Sequence, residues 1–242
     1  MLIFCARLPP MTKPTILITR TLEDADSLAE DVKALGFEPL ISPLISIQYQ
    51  HDLLLQPQAC DGYIFTSRFG VMGLSNPDIT KPCFVVGEST ALAAKAQGFK
   101  DIHLSLDHVS GIEPLIKQKG IKGKMLYASA DHITRPITSF DNVVVERFIV
   151  YHTELASDLI DEVYALNWSA ALFFSKRTAA HFCDLFGGQN AANTIRSKKI
   201  LCLSATVASV FNENTYTDVH IADNPTKQSM LNLLEKCHDT NS

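Results

Sequence analysis

The sequence predicts an α/β protein built on parallel sheets and divided into two lobes. Three observations carry that expectation. From Asp61 onward, short apolar runs alternate with segments of helical spacing: "GYIFTS" then a helix from Arg68, "CFVVG" then "STALAAKAQG", "DIHLS" then "GIEPLIKQKG". That is the pattern of strands joined by crossover helices. The series then restarts. "ALFFSKRTAAHF" matches "YIFTSRFGV", "ILCLSATVASVF" matches "FVVGESTALAA", and "DVHIADNPTKQSMLNLLEK" matches "DIHLSLDHVSGIEPLIKQK". Finally, 242 residues of 46% hydrophobic content suit two lobes of roughly 100 residues each.

The first element, "TILITR", reads as a buried strand ending at Arg20. Thr21 and Asp24 then stand at capping-box-like spacing before Leu22, Ala25, Ala29 and Val32, which recur at helical intervals, and Gly36 supplies the stop. The next run, "FEPLISPLISIQY", is apolar but contains Pro39 and Pro43. Proline cannot donate to a ladder, so an edge strand or interdomain connector is expected there. In the second series "KMLYASA" stands where "TILITR" stood, and "NVVVERFIVYHTE" is a second long extended stretch. This alternation by itself leaves open whether the lobes are consecutive or interleaved. Residues 1–12 have a short apolar run without a basic n-region, and read as a disordered extension ahead of the fold with Met11 as an alternative start.

Composition excludes several functions. A net charge of -5, with no like-charge run longer than Lys198–Lys199, provides no broad footprint for nucleic acid. No stretch approaches the ~20 apolar residues of a membrane span. The six cysteines form no C-x-x-C pair and read as reduced thiols of a cytoplasmic protein. Phosphate-loop, dinucleotide, zincin and nucleophile-elbow motifs are all missing. His103 and His220 occupy matching places in "DIHL" and "DVHI", which favours a repeated scaffold role. The other histidines, His51 among them, show no ligand spacing, so no metal is expected.

The chemistry that remains sits at strand ends. In a parallel sheet the ligand crevice lies beyond the carboxyl ends of the strands, where helix N-termini attract anions. Four such loops carry hydroxyls: Thr66 and Ser67, Ser89 and Thr90, Ser175, and Ser204 with Thr206. Each alone reads as an ordinary helix cap. Their recurrence in both halves makes ligand binding as good a reading as capping.

The ordered set "ILITR", "YIFTS..GV", "VVGESTA", "VYHTE", "LFFSKRTA", "LSATVA" and "DNPTKQSMLNLL" resembles the uroporphyrinogen-III synthase family, from Thr15 to about Lys236. The resemblance implies two flavodoxin-like lobes joined by a two-stranded antiparallel connector. Residues 13–40 and 155–242 would form one lobe, 50–142 the other, and 41–49 and 143–154 the crossings. It further implies cyclisation of hydroxymethylbilane to uroporphyrinogen III in a cleft between lobes, by a cytoplasmic monomer without cofactor, with hydroxymethylbilane synthase as a candidate donor of its substrate. Tyr151 would be the general acid. Arg20, Thr66, Ser67, Gly87, Ser89, Thr90, Ser129, Ser175, Ser204 and Thr206 would hold substrate, with Arg68, Arg135 and Lys176 as further candidate cations. Two departures stand out: Leu203–Ser204 where relatives commonly have glycine, as here at Gly87, and Thr21 where proline is frequent. The alternative class is a non-enzymatic two-lobed sensor of an anionic metabolite, although such sensors normally have longer lobes.

Overall fold

The computed structural model describes residues 13–50, 60–106, 108–133, 135–186 and 195–239. The expected extension at 1–12, Cys5 and His51 lie outside them. In chain order the elements are β1 (Thr15–Ile18), α1 (Leu22–Ala34), β2 (Glu38–Ile41), β3 (Ile45–Tyr49), β4 (Gly62–Phe65) and α2 (Arg68–Gly73). Then come β5 (Cys83–Val86), α3 (Glu88–Gln97), β6 (Ile102–Ser105), α4 (Ile112–Lys119), β7 (Gly123–Ala130) and β8 (Val143–Leu155). The last are α5 (Asp161–Tyr164), β9 (Ala170–Phe173), α6 (Lys176–Phe186), β10 (Lys199–Cys202), α7 (Ala205–Ala208), β11 (Val219–Ile221) and α8 (Lys227–Asp239).

Two compact units result. Unit 1 combines residues up to Ser46 with those from Leu155, and unit 2 is Ile47–Glu154. In unit 1 the sheet order is β2-β1-β9-β10-β11 and every pairing is parallel. In unit 2 the order is β3-β8-β7-β4-β5-β6, with the five strands from β8 to β6 parallel. The two orders superimpose strand for strand: β1 on β7, β2 on β8, β9 on β4, β10 on β5 and β11 on β6. Both are the doubly wound order whose direction reverses beside the first strand, where ligands of such sheets bind.

The pleat explains the layers. In unit 1, Leu17, Ala171, Phe173 and Ile200 point to the face covered by α6 and α7, while Ile16, Ile18, Leu172 and Leu201 point to that of α1 and α8. In unit 2, Tyr63, Phe65, Val85 and Ala128 share one core, and Ile64, Phe84, Met125 and Tyr127 the other. Strands buried on both faces need continuous apolar runs, as "GYIF" and "AALF" supply. Each Leu, Ile or Phe so enclosed contributes about 1.5–3 kcal/mol.

Pro39 lies in β2, an edge strand, where its missing donor costs no ladder bond. On the outer side of β8, Gln50 N–H donates to Val150 C=O (3.0 Å) and Ala156 N–H to Leu44 C=O (3.1 Å), so β3 runs antiparallel to β8. The capping box expected at α1 does not form. Asp24 turns to Arg20 (2.7 Å), and the buried Thr21 hydroxyl has no hydrogen-bond partner among the described residues. His103 and His220 each hydrogen-bond the aspartate two residues earlier, Asp101 at 2.9 Å and Asp218 at 2.5 Å. Among the described residues no helix is long and apolar enough to cross a membrane.

Candidate functional site

The carboxyl ends of β4, β7 and β8 meet at the switch point of unit 2. Gly70 sets their approach to α2: a Cβ there would stand 2.5 Å from the Ala128 carbonyl oxygen, so only glycine lets the helix lie so close to β7. The close approach brings the N-cap of α2 over the strand ends. Ser67 caps that helix, its hydroxyl accepting from Phe69 N–H at 3.2 Å. A cavity of about 320 Å³ opens here, lined by Thr66, Ser67, Tyr127, Ala130, Arg135 and Tyr151 among others.

Tyr151 reaches this cavity through a β-bulge. Ser129 pairs with Ile149, but Ala130 pairs with Tyr151, so Val150 is an extra residue in β8. Val143 and Val145 face the core that contains Tyr127, whereas Phe148 and Val150 face the opposite core. A regular pleat would return Tyr151 to the Tyr127 side. The bulge instead keeps it beside Val150, with its ring 5.8 Å from Phe69 and 6.4 Å from Tyr49. The residue is 6% exposed. Burial pushes the phenol above its ordinary pKa, and a hydrogen bond with Ser67 draws it partly back. On the other side of the cavity the Tyr127 hydroxyl hydrogen-bonds Thr66 Oγ1 at 3.0 Å. Two phenols and two adjacent strand-end hydroxyls therefore line one space. Such a wall can donate protons or hydrogen bonds to a leaving oxygen.

Thr66, Ser67 and Tyr151 are thus brought together, and of the candidate cations Arg135 lines the same cavity with an exposed side chain. Arg68 stacks on Phe69 at 4.8 Å from the ring centroid. Gly87 adopts φ +82 in a turn with open space over its α-carbon, and Ser89 is exposed in the first turn of α3. Thr90 is placed differently: at 2% exposure it lies on the buried face of α3, covered from a ligand in this conformation. Ser129 is equally buried, and its hydroxyl is used internally, donating to the Ala130 carbonyl and accepting from Arg147.

In unit 1, Arg20 and Ser175 end the adjacent strands β1 and β9. Arg20 lies over the Phe174 ring at 4.6 Å and is engaged by Asp24, so it would have to exchange partners to hold a substrate carboxylate. Ser175 Oγ accepts from Thr178 N–H at 3.1 Å, the bond of a helix cap. Lys176 and Thr206 are exposed, and Ser204 is half-buried with no capping bond from its side chain. Its φ of -158 is extended backbone, which explains why the loop after β10 needs no glycine where the loop after β5 has Gly87. A second cavity, of about 330 Å³, opens at the amino ends of the strands of unit 1, beside Lys198 and His238. Ligands of doubly wound sheets bind at the opposite ends, and we assign it no part in the chemistry.

The sequence alone does not single out Tyr127. A strand buried on both faces offers no sign that its one aromatic reaches the open end, although Tyr127 does lie three residues before the strand's end. Among the described residues no group of three or more His, Cys, Asp and Glu side chains is arranged to hold a metal ion.

Comparison with known proteins shows the family. The crystal structure of a mutant uroporphyrinogen III synthase from the extremely thermophilic bacterium Thermus thermophilus aligns with a TM-score of 0.51 at 16% identity, over 94% of this chain and 99% of that one, a likeness of fold. A curated protein of Methanocaldococcus jannaschii, "Putative uroporphyrinogen-III synthase", is 39% identical over 88 residues, which are 33% of this chain and 37% of that protein. The chain thus spans little more than a third of that relative's length. The family profile described as uroporphyrinogen-III synthase HemD matches residues 26–232, nearly the whole of both units. The chain belongs to the uroporphyrinogen-III synthase family.

Proposed function

We propose that this protein cyclises hydroxymethylbilane to uroporphyrinogen III, with loss of water and inversion of ring D, and that Tyr151 is the acid that assists departure of the hydroxyl. The observation that carries this reading is the buried phenol of Tyr151 beside Ser67 in a hydroxyl-lined cavity, in a chain of this family. The substrate is a linear tetrapyrrole polycarboxylate with a terminal hydroxymethyl group. A pyrrole nitrogen lone pair expels that hydroxyl as the Tyr151 proton passes to it, giving water, the Tyr151 phenolate and a cationic azafulvenium that keeps its N–H. The far pyrrole attacks through its substituted carbon to form a spiro intermediate, which fragments, recombines and closes with ring D inverted. The proton released at the final closure returns to the phenolate, so the cycle balances without a cofactor.

Because the substrate supplies its own electron push, the protein's main task is conformational. Linear tetrapyrrole also closes unaided to the uninverted isomer, so the carboxylates must be held in one geometry. In our reading Arg135, Thr66, Ser67 and Ser89 do this in unit 2, with helix N-terminal amides around them. We take the working species to be a monomer. The test is to supply freshly generated hydroxymethylbilane, oxidise the products and resolve the porphyrin isomers. Type III porphyrin above the unassisted background is expected. Type I as the sole product would overturn the proposal and leave a binding protein.

A further inference from the structure

We propose that Arg147 is a positioning residue for the candidate site: its guanidinium holds the β-bulge that aims Tyr151 into the cavity. A bulge interrupts a ladder and leaves backbone groups to be satisfied by something else. Here that role falls to Arg147, which stands opposite Tyr127 in the β7–β8 register, two pairs before the bulge. Its Nη2 donates to the carbonyls of Ala130 at 2.5 Å and Asp131 at 2.6 Å, and its Nε donates to Ser129 Oγ at 2.9 Å. Ser129 Oγ in turn donates to the same Ala130 carbonyl at 3.0 Å. One planar donor fork therefore spans three consecutive residues at the end of β7, a geometry that lysine cannot reproduce.

The three residues so held are those on which Tyr151 depends. Ala130 is its partner in the shifted register, and Asp131 N–H donates to the Tyr151 carbonyl at 3.1 Å. Ala130 and His132 also line the cavity. From the outer side, Asp131 is fixed by His152 Nδ1 at 3.1 Å, and Gln50 hydrogen-bonds the far nitrogen of that imidazole. The end of β7 opposite the bulge is thus gripped on both sides, and Arg147 reaches the carbonyls of both Ala130 and Asp131. Arg147 does not itself line the cavity. Its influence on chemistry runs through Tyr151.

The activity arm of the test rests on the general-acid reading of Tyr151, and a second arm does not. R147M and R147K are each made in the wild-type and Y151F backgrounds. R147M is expected to lower kcat about tenfold with KM within about twofold, because small displacements of a catalytic group cost heavily. In the Y151F background the same change should cost less than about twofold, since the hydroxyl it positions is gone. R147K should fold as wild type yet remain near the R147M rate. Equal losses in both backgrounds, or full activity in R147K, would overturn the proposal. Independently of activity, NMR of ring-labelled tyrosine, with the Tyr151 signal assigned by its loss in Y151F, should show that signal moving in R147M and R147K while Tyr63 stays. An unmoved Tyr151 signal sinks the inference even if the protein cyclises its substrate. If the wild type makes no type III product, the NMR arm alone decides, and R147K carries it should R147M not fold.

Discussion

Replacing Tyr151 with phenylalanine tests the chemistry with little disturbance to the fold. Phenylalanine keeps the ring and its contacts with Phe69 and Tyr49, and removes only the hydroxyl that meets Ser67. Ser67 still accepts from Phe69 N–H, so it does not become a buried orphan, and the stability cost should stay within about 1 kcal/mol. A positioned general acid is worth roughly a hundredfold or more. Because the pyrrole nitrogen already drives departure, we expect turnover to fall by about ten- to a few hundred-fold, or about 1.4–3 kcal/mol of barrier. The pH dependence should follow the sign of the shift. Burial raises the phenol's pKa, so the acid form persists through neutral pH and is lost only as pH rises past the ordinary tyrosine range. Wild-type kcat should then show no Tyr151-dependent fall between about pH 7 and 9. The assay is initial rate of type III formation, with isomers resolved after oxidation. Full turnover in Y151F, with only type III produced, would refute the acid role and leave Tyr151 as packing at the bulge.

Other outcomes follow from the packing. Thr21→Val removes a buried hydroxyl without a hydrogen-bond partner while keeping its shape, and should raise stability by about 1 kcal/mol in urea unfolding; a loss would mean that the hydroxyl is satisfied in solution. Gly70→Ala places a Cβ against the Ala128 carbonyl and should destabilise unit 2 by about 1–3 kcal/mol, despite the gain in helix propensity, whereas an unchanged melting temperature would show that α2 can move away. Burial pushes the Cys83 and Cys202 thiols from 9.0 up to about 12. Their folded pKa values lie above the unfolded ones, so this contribution is complete below pH 9 and is lost as pH rises toward 12. Unfolding free energy should fall in that window by up to about 1.4 kcal/mol per pH unit for each thiol, and a smaller slope is expected in Cys83→Ala.

Much of the architecture was legible because periodicity reports burial directly. The strand-and-helix alternation, the repeated order of pieces and the edge placement of Pro39 all follow from which residues must avoid water and which cannot donate a ladder bond. Of the candidate site, the hydroxyls at strand ends were legible, because those positions are fixed by topology. What the sequence did not disclose depended on one residue's worth of register. Nothing in "VVVERFIVYHT" marks Val150 as the extra residue, and a strict alternation would have sent Tyr151 to the wrong face. The burial of Thr90 and the internal use of Ser129 were hidden for a similar reason: a hydroxyl near a strand end can face the crevice or the core, and a turn of the backbone decides between them. The Thr21–Asp24 spacing misled because Arg20, immediately before it, competes for the carboxylate.

The interleaving of the two units has a consequence for how the chain acquires its structure. Unit 2 is a continuous segment and can complete its own core from neighbouring pieces, whereas the central strand of unit 1, β1, must wait for β9, whose Ala170 pairs with Ile16. Closing so long a loop in an open coil is entropically costly and slow. Once β3 has paired with β8, however, Leu44 and Ala156 are held by a single hydrogen bond of 3.1 Å, and the intervening chain no longer counts as loop. The inserted unit then acts as an internal clasp that turns a remote encounter into a local one. Synthesis favours the same sequence of events, because all of unit 2 leaves the ribosome before β9 does.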